Sequence, residues 1–512
     1  MMWRAGRLGC PREPNIFDSY TGVQFLRRTL PPHASRLIAT LASQSAPGPR
    51  ASSATPQLVV VTRFVQGMAP WPFLRAAEGE PRGFWARDER WVAHRGVALA
   101  VEGAGHGRFH DVREAIAAQV PAAPEGIRVR LYGGFAFRDD HAPQEHWSGF
   151  PAALLHLPRF ELTGDASGQG RLRAQALAEG PAETDAVRAE LEAELDALIA
   201  QLGAGGSDAS SRSAPSSGIE PSSVTGHITA SRDDAREAWG RAIDAVLDAV
   251  KGGALSKAVL ARTADVALDG RISPNALAEA LWRRNAGTHV FFFEPTAGQA
   301  LVGAAPEALA TVRGGVFHAT AVAGSVARGT DAEADRWLAR QLLDSRKDRA
   351  EHQLVVDDMA TRLEAFAHDI RTDAEPSVLR LARIQHLETG VRARLVEGTH
   401  VLELVEALHP TPAVCGVPRD AALELLRNHE PFDRGWYAGP VGWLSTDGEG
   451  HFVPALRTAV GTGQHWRLYA GAGIVDGSSA QGEWDETAIK FQPVLRALGS
   501  CGATLSEEDG EA

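Results

Sequence analysis

The pattern of apolar and polar positions in the first part of the chain predicts strands followed by a helix. Apolar runs at residues 57–61 and 97–101 are typical of strands. Apolar and polar residues alternate over residues 127–131, which indicates a half-buried strand that leads into Gly133-Gly134-Phe135. Between residues 182 and 202, apolar residues recur at helical spacing, so we expect an amphipathic helix to close this part of the chain.

The second part of the chain shows a longer series of predicted elements. Ser231 with Asp234 forms a helix start signal, and Gly252-Gly253 forms the matching stop. Strands are predicted at residues 254–264, 289–294, 300–304 and 466–469, and a long helix, either continuous or broken, at residues 331–368. Gly471 and Gly473 predict a turn between the last strand and a final helix at residues 483–498.

Three segments lack such periodicity. Residues 1–56 contain seven arginines but only two acidic residues, which predicts a disordered extension. An organelle transit peptide or a start codon assigned too far upstream would give the same composition, and the sequence leaves these alternatives open. Residues 203–226 are rich in Gly, Ser, Ala and Pro, which predicts a surface linker between a first part at residues 57–202 and a second part at residues 227–500. Residues 501–512 are expected to be an acidic tail.

Composition and charge narrow the class of protein. The chain has 512 residues, of which 44% are apolar and 23% charged, so it can bury a large core and is not intrinsically disordered. The formal net charge of −12 argues against nucleic acid or an anionic membrane surface as the main partner. Three cysteines are too few for a disulfide framework, which favours a reducing compartment such as the cytoplasm. Since no run of about 18 uncharged apolar residues occurs, no membrane-spanning helix is predicted.

Lysine is rare in this chain. It occurs at positions 251, 257, 347 and 490, so 48 of the 52 basic residues are arginines. Arginine can replace lysine wherever only a solvated charge is needed, so a retained lysine suggests chemistry that requires an amine able to lose its proton. Lys257 lies in a predicted strand among small apolar residues, where desolvation would favour the neutral amine and make it a usable general base. The alternative is a strand-edge lysine that reaches solvent.

Glu307, Arg457 and two glycines are further candidates for chemistry. Glu307 follows a predicted strand in a turn after Pro306, and such loops often carry catalytic groups, although a helix-start carboxylate is the alternative. Arg457 lies among apolar residues of a predicted strand and could clamp a carboxylate, unless it extends to solvent. Gly471 and Gly473 could present backbone N–H groups to an anion. The chain is too short beyond them for a dinucleotide site.

Two predicted helices carry carboxylates three positions apart. Asp348 and Glu351 share a face of one helix. Glu483 and Glu486 share a face of the other, with Lys490 one turn further on. Carboxylates without His or Cys partners suit a hard cation such as Mg2+. A solvated, salt-bridged helix face is the alternative for either pair alone.

These segments together resemble the chorismate-utilising enzymes, most closely the isochorismate synthases, over residues 235–498. So many motifs in the same order are not expected by chance. The motifs that carry the resemblance are residues 256–262 (SKAVLAR), 303–307 (GAAPE), 323–329 (AGSVARG), 347–352 (KDRAEH), 409–414 (HPTPAV), 432–437 (FDRGWY), 470–475 (AGAGIV) and 483–490 (EWDETAIK). Residues 57–202 are similar to the more variable N-terminal half of the same family.

The resemblance implies a fold and a reaction. The fold is α/β, the chorismate-binding fold of anthranilate synthase component I, with two intertwined sheet-containing halves in one globule. The reaction is an isomerisation in which water adds at C2 of chorismate while the C4 hydroxyl leaves, giving isochorismate. By the same resemblance, Lys257 is the base that activates water and Glu307 is the acid that protonates the departing hydroxyl.

The resemblance also implies a cofactor and a set of substrate contacts. The cofactor is Mg2+, bound by Glu351, Glu486 and Glu483, with Asp348 acting directly or through water. The residues implied to contact the substrate are Gly324, His386, Ala413, Tyr437, Arg457, Gly471 and Lys490.

Relatives on the same scaffold offer alternatives. Enzymes that use ammonia from a glutaminase carry other residues at the position of Lys257 or a lysine in the segment that here reads Thr320-Ala321-Val322-Ala323-Gly324-Ser325. We therefore expect water as the nucleophile and no glutaminase partner. The closest alternative is a salicylate synthase, which forms isochorismate and then eliminates pyruvate. A silent binding protein and a nicotinamide oxidoreductase are disfavoured. The sequence leaves open whether the product feeds menaquinone, siderophore or salicylate synthesis.

Overall fold

The computed structural model describes residues 56–143, 145–203, 224–229 and 233–507 of the chain. The expectations for residues 1–55, for the linker residues 204–223, for the helix start at Ser231 and for the tail beyond residue 507 lie outside these residues.

Twenty-one strands are present in the described residues. They are β1 (Gln57–Gln66), β2 (Arg82–Arg87), β3 (Arg90–Gly103), β4 (Arg130–Phe135), β5 (Ala153–Gly164), β6 (Gln169–Ala178), β7 (Val224–Ile228), β8 (Lys257–Leu268), β9 (His289–Thr296), β10 (Gln299–Ala305), β11 (Ala310–Arg313), β12 (Val316–Ala327), β13 (Ala367–Thr372), β14 (Ser377–Arg380), β15 (Ile384–Leu395), β16 (Gly416–Val417), β17 (Pro440–Ser445), β18 (Gly450–Pro454), β19 (Thr458–Gly461), β20 (His465–Ile474) and β21 (Ala503–Glu507).

Ten α-helices accompany them in the same residues. They are α1 (Pro70–Arg75), α2 (Arg108–Gln119), α3 (Thr184–Gly203), α4 (Asp233–Lys251), α5 (Pro274–Arg284), α6 (Ala332–Asp344), α7 (Arg346–Leu363), α8 (Val401–Leu408), α9 (Arg419–His429) and α10 (Ala480–Ser500). In the part of the chain described, none of them is both long and apolar enough to cross a membrane.

The strands form one hydrogen-bonded system with two arms that separate at β5. The first arm runs in the order β5-β3-β2-β9-β10-β19-β20-β8-β7-β21. The second arm runs in the order β5-β4-β17-β18-β11-β12-β15. Strands β6 and β1 extend the system beyond β5. Neighbouring strands are antiparallel, apart from β7 and β21, which are parallel.

Both arms join the first part of the chain to the second. Strand β2 pairs with β9, so that Phe84 lies opposite Phe292. Strand β4 pairs with β17, so that Gly133 lies opposite Gly442. Because residues 57–178 and 224–507 complete each other's sheets, neither part could form its arm alone. The expected α/β fold with two intertwined halves is confirmed.

The helices lie against the faces of these arms. Leu191, Leu195 and Leu198 of α3 are buried on β1 and β6, as the helical spacing between residues 182 and 202 predicted. Helix α7 packs on β12 of the second arm, and α10 packs on β20 of the first. The two helices predicted to carry paired carboxylates are thereby held on different arms.

The long helix predicted at residues 331–368 is broken. Helix α6 ends at Asp344, and the side chain of Ser345 then caps α7 by accepting a hydrogen bond from the backbone N–H of Asp348. Helix α7 ends at Leu363, and β13 begins at Ala367, so the prediction of helix to residue 368 is wrong at its end. A serine whose side chain replaces a missing backbone partner is a typical helix start, and that signal was overlooked.

The predicted turn at Gly471 and Gly473 is also wrong. Both glycines lie inside β20, where Gly471 is opposite Ala261 and Gly473 is opposite Val259 of β8. A Cβ atom at Gly473 would collide with the Glu351 carboxylate. The glycines therefore permit a close approach to the strand rather than a change of direction.

Two strand boundaries differ from expectation as well. The predicted strand at residues 127–131 begins only at Arg130, and β7 begins at Val224, inside the segment that composition assigns to the linker. Strand β21 lies within the predicted acidic tail. Strands β7 and β21 pair with each other, and the side chain of Val224 is buried. This pairing joins segments about 280 residues apart, a relationship that no local pattern reveals.

Candidate active site

A pocket lies between the two arms. Its walls come from β8 and β20 of the first arm, β12 and β15 of the second, and helices α7 and α10. The space between them, which is partly open to solvent, measures about 660 Å³. The sequence-predicted residues that line it are Lys257, Glu307, Gly324, Glu351, His386, Ala413, Tyr437, Arg457, Gly471, Glu486 and Lys490. Of the predicted residues, Glu483 and Asp348 do not line it: Glu483 lies one turn before Glu486 on α10, and Asp348 lies in the first turn of α7.

Lys257 is the first residue of β8 and is buried, with 1% of its surface exposed. Alternation along β8 places Lys257 and Val259 on the same side of the strand, and both line the pocket. The Nζ atom lies 2.8 Å from Oε1 of Glu351, which α7 supplies from the opposite wall. This geometry excludes the alternative of a lysine that reaches solvent. The amine is instead held inside the pocket by a carboxylate.

Glu307 lies in a bend directly after β10 and is 5% exposed. No helix begins there, so the alternative of a helix-start carboxylate is wrong. Burial raises the pKa of Glu307 to about 8, although the positive charges of Arg457 and Lys257 act in the opposite direction. At neutral pH, Glu307 is therefore a carboxylic acid that can donate a proton.

Arg457 and His386 form a buried hydrogen bond at one side of the pocket. Nη2 of Arg457 donates to Nε2 of His386 at 3.1 Å. Nδ1 of His386 lies 2.9 Å from the hydroxyl of Ser325 and 3.3 Å from the carbonyl oxygen of Gly324. Arg457 has a φ of 53°, a left-handed conformation that costs energy for a residue with a side chain and is found mainly at functional sites. The alternative of a solvent-directed arginine is excluded because Arg457 is buried.

Gly324 also has a left-handed backbone, with a φ of 73°. A Cβ atom at this position would lie 3.0 Å from the Cβ of Asp348 on α7. Glycine therefore allows β12 to bend against the start of α7, at the point where the register of β12 against β15 shifts. The bend places Ser325 beside His386 in the pocket wall.

Two tyrosines stack beside the pocket. The rings of Tyr437 and Tyr469 have centroids 5.0 Å apart and planes 19° from parallel. Burial raises the pKa of Tyr437 to about 12, so its hydroxyl is a neutral donor at physiological pH. The Tyr469 hydroxyl accepts a hydrogen bond from Nε1 of Trp147 at 3.0 Å. Tyr437 was expected here, whereas Tyr469 was not.

Lys490 joins helix α10 to strand β20. Its Nζ donates to the carbonyl oxygen of Gly471 at 2.8 Å and lies 2.5 Å from Oε1 of Glu486. Burial would raise the pKa of Glu486, but Lys490, together with the charges of Arg457 and Lys347, lowers it overall. Glu486 is thus an ionised carboxylate at the pocket wall.

Glu483 differs from Glu486 in its surroundings. Its side chain is 5% exposed, and Oε1 lies 3.0 Å from Nζ of Lys347. Burial and the neighbouring charge of Glu486 raise the pKa of Glu483, while Lys347 opposes this effect. A buried carboxylate beside a second carboxylate requires a nearby cation to stay ionised.

The donor set of α7 and α10 suits a hard cation. Asp348, Glu351, Glu483 and Glu486 offer only carboxylate oxygens, the ligands that Mg2+ prefers. In the described residues, however, no three acidic or histidine side chains already converge at ligating distance. Glu351, Glu483 and Glu486 each contact a lysine instead. The residues therefore fit a magnesium ion in type, provided that these ion pairs open.

Sequence reasoning missed two polar residues of the pocket, Ser325 and Tyr469. Ser325 lies in the motif at residues 323–329, but no local pattern shows that it is paired with His386 on the neighbouring strand β15. Tyrosine is scarce, with four in the chain, and two of the four lie in this pocket. The same rarity argument that drew attention to lysine could have drawn attention to Tyr469.

Comparison with known proteins places this pocket in a family. The family model described as chorismate binding enzyme matches residues 42–499, a range that contains every residue of the pocket. The chain belongs to the chorismate-binding enzyme family. The resemblance noted in the sequence is confirmed, and so is the expectation that the protein is an enzyme.

Curated relatives and solved structures of chorismate-binding enzymes agree with this assignment. The chain is 37% identical to the salicylate biosynthesis isochorismate synthase of Pseudomonas aeruginosa over 425 residues, 82% of this chain and 85% of the relative. It is 32% identical to the isochorismate synthase MenF of Bacillus subtilis over 369 residues, 72% of this chain and 74% of the relative. The structure of MenF, the menaquinone-specific isochorismate synthase from Escherichia coli, superposes with a TM-score of 0.71 at 27% identity, covering 91% of this chain and 99% of that one.

Anthranilate synthase component I from Streptococcus pneumoniae shows a TM-score of 0.63 at 19% identity, covering 80% of this chain and 93% of that one. At this identity, the similarity concerns the fold alone. It agrees with the chorismate-binding fold that the sequence predicted.

Proposed function

We propose that this chorismate-binding enzyme is an isochorismate synthase, an isomerase that converts chorismate to isochorismate. The observation that carries the proposal is that one pocket contains a buried amine, Lys257, together with a carboxyl group, Glu307, whose pKa is about 8. A base and an acid facing one small cavity suit a reaction that activates water and protonates a leaving hydroxyl. The names of the relatives from Pseudomonas aeruginosa and Bacillus subtilis agree with that reaction.

In the proposed mechanism, Lys257 and Glu307 move one proton each. Once its ion pair with Glu351 has opened and the amine is neutral, Lys257 accepts a proton from water as the water oxygen bonds to C2 of chorismate. The ring double bonds shift, the bond between C4 and its hydroxyl breaks, and Glu307 donates the proton that lets this hydroxyl leave as water. Exchange with solvent returns both groups to their starting states. Water is added and lost, so the net change is an isomerisation.

Positive groups around the pocket would bind the two carboxylates of chorismate. Arg457 is held by His386, which leaves the rest of its guanidinium to form charge-assisted hydrogen bonds with an anion. The neutral hydroxyl of Tyr437 and the ammonium of Lys490 line the same cavity. Arg457 and Lys490 supply local positive charge for an anion, although the net charge of the whole chain is −12.

We propose that Glu351 and Glu486 hold a magnesium ion, with Glu483 and Asp348 as further oxygen donors. When bound, the ion would supply a positive charge that neutralises a substrate carboxylate. The two carboxylates would reach the ion from different helices, Glu351 from α7 and Glu486 from α10. This assignment rests on the oxygen-only donor set.

Product analysis tests the proposal. Purified enzyme would be incubated with chorismate and MgCl2, and the products separated by chromatography and identified by NMR. Isochorismate in equilibrium with chorismate is the expected result. Lys257→Ala, with Lys251→Ala on the exposed end of α4 as the matched control, assigns the activity to this pocket. Chorismate that stays unchanged with wild-type enzyme and MgCl2 would refute the proposed function.

A salicylate synthase is the second candidate. It would eliminate pyruvate from isochorismate after the first step. The relative from Pseudomonas aeruginosa is named as an isochorismate synthase of salicylate biosynthesis, which does not favour elimination by the same chain. Ala413 lines the pocket, and its methyl group offers no hydrogen-bond donor or acceptor that could assist a second step. We also expect activity without a glutaminase subunit, since water is the proposed nucleophile.

A further inference from the structure

Three of the four lysines pair one to one with the three glutamates assigned to the metal. The ion pairs are Lys257–Glu351 at 2.8 Å, Lys347–Glu483 at 3.0 Å and Lys490–Glu486 at 2.5 Å. Lys257 and Lys490 line the pocket and have roles in the proposed reaction. Lys347 does not line it and has no role in the proposed reaction.

Lys347 bridges the starts of two helices. It is the second residue of α7, and Glu483 lies in the first turn of α10. The ion pair therefore connects the helix that carries Asp348 and Glu351 with the helix that carries Glu486. The two helices pack on different arms of the sheet, so this contact crosses between the arms.

The two partners differ in their access to water. The Lys347 side chain is 39% exposed, whereas that of Glu483 is 5% exposed. Lys347 can therefore swing into solvent and keep its charge hydrated. Glu483 cannot move into solvent in the same way, because it is buried near Glu486. It therefore needs a cation beside it both with and without a bound metal ion.

The choice of lysine is informative in an arginine-rich chain. An arginine at position 347 could form two parallel hydrogen bonds with the carboxylate and would be harder to displace. A lysine forms a compact single-point contact on a flexible stem. The residue type thus suits a contact that has to open.

We propose that Lys347 is a positioning residue that acts as a tethered cation. It pairs with Glu483 in the metal-free enzyme, and a divalent ion displaces the lysine from that carboxylate when it binds. This inference rests on the metal site of the proposed function. In the metal-free enzyme, Lys347 keeps the first turn of α10 against α7. Because the lysine and the ion compete for one carboxylate, removal of the lysine tightens ion binding, and replacement by arginine weakens it.

Titration with MgCl2 alone, without chorismate and at constant ionic strength, tests the inference by calorimetry. Lys347→Met is expected to bind Mg2+ about three- to tenfold more tightly than wild type, through loss of a partly exposed ion pair and of like-charge repulsion. Lys347→Arg is expected to bind more weakly than wild type. Lys251→Met removes an equal charge from the exposed end of α4 and is expected to leave binding unchanged. Equal or weaker binding by Lys347→Met, or tighter binding by Lys347→Arg, would overturn the inference.

Thermal unfolding supplies a second measurement on the same proteins. Without metal, Lys347→Met is expected to melt below wild type because Glu483 has lost its partner, and MgCl2 should raise its melting temperature more than that of wild type. Lys347→Gln serves the same purpose if the methionine variant does not fold. Equal rises in melting temperature for Lys347→Gln and wild type would contradict displacement.

The outcomes separate this inference from the proposed function. If wild type binds Mg2+ and Lys347→Met binds it equally well, the tethered cation is wrong while the metal site stands. If wild type binds no Mg2+ but converts chorismate, the metal site and the tethered cation both fall while the reaction stands. If wild type binds Mg2+ without converting chorismate, only the proposed reaction falls.

Discussion

Arg457 donates a hydrogen bond from Nη2 to Nε2 of His386, across 71 residues of sequence. Because a guanidinium has donors only, Nε2 of the histidine must be the unprotonated acceptor, and Nδ1 carries the hydrogen toward Ser325. Burial, with the charges of Arg457 and Lys490, holds the pKa of His386 well below its usual value. The imidazole is therefore neutral, in one tautomer, and it fixes the guanidinium in the pocket wall.

We expect Arg457→Lys to lower kcat/KM for chorismate by about 10- to 100-fold, because an ammonium cannot contact His386 and a substrate carboxylate in the same geometry. Steady-state kinetics on chorismate would measure the effect. Arg496→Lys makes the same change on the exposed face of α10 and serves as the control. Wild-type kcat/KM for Arg457→Lys would refute the role of the guanidinium in binding substrate.

We expect Lys257→Ala to lower turnover by about 10²- to 10⁴-fold, the usual cost of losing a general base. The substitution also leaves the buried carboxylate of Glu351 without its partner, so the metal-free variant should melt below wild type. Turnover is measured by chromatography of the products and stability by circular dichroism during heating. Retention of more than about half of the wild-type rate would exclude Lys257 as the base.

Because of Glu307, we expect kcat/KM for chorismate to fall above about pH 8. The pKa of Glu307 is raised to about 8 by burial, so the acid form is lost as the pH rises through that value and kcat/KM falls. Glu307→Gln cannot donate a proton, so we expect it to be about 10²- to 10⁴-fold slower and to lose this decrease at basic pH. A pH–rate profile checks both, and an unchanged basic limb in the glutamine variant would contradict the assignment.

The same pKa has a consequence for stability. Between about pH 4.5, where the carboxyl of an unfolded chain releases its proton, and about pH 8, the folded enzyme retains the proton. Since the folded state binds more protons in this window, its free energy of unfolding decreases as the pH rises. We expect Glu307→Gln to lack this contribution. The melting temperature of the variant should therefore rise relative to that of wild type as the pH increases from 5 to 8. Parallel melting curves of the two proteins across this range would contradict the raised pKa.

Glu486→Gln is expected to weaken Mg2+ binding at least tenfold, because it replaces an ionised oxygen ligand with an amide. Calorimetric titration with MgCl2 measures the effect, and Asp485→Asn on the exposed side of the same helix is the control. We also expect excess EDTA to abolish wild-type activity and added MgCl2 to restore it. Full activity of the wild type in EDTA would show that the reaction does not require the metal ion.

The reaction is expected to stop at isochorismate. Ala413 offers no hydroxyl to the pocket, so we expect slow or absent pyruvate release. A coupled lactate dehydrogenase assay measures pyruvate directly, and chromatography measures salicylate. Pyruvate and salicylate in equal amounts from purified enzyme would favour the salicylate synthase alternative.

The sequence by itself determined which residue types are candidates for the proposed chemistry. The rarity of lysine singled out Lys257 before any fold was known, and the spacing of three between carboxylates placed Glu483 and Glu486 on one helix face. Helix α3 was also predictable, because burial of one face imposes a helical spacing of apolar residues. Strand β10 is buried along its whole length and was predictable as a short continuous apolar run. The family motifs then fixed the order of these segments along the chain.

Tertiary structure alone decided which of these residues meet. The pairs Lys257–Glu351 and Arg457–His386 join residues 94 and 71 positions apart, and no local pattern encodes such contacts. The sequence also misassigned Gly473 to a turn, because a glycine required by a neighbouring carboxylate looks the same as a glycine required by a bend. Burial raised the pKa of Glu307 only because the two arms close over it. That closure depends on pairing between distant strands, so the fold and not the motif makes this carboxyl an acid at neutral pH.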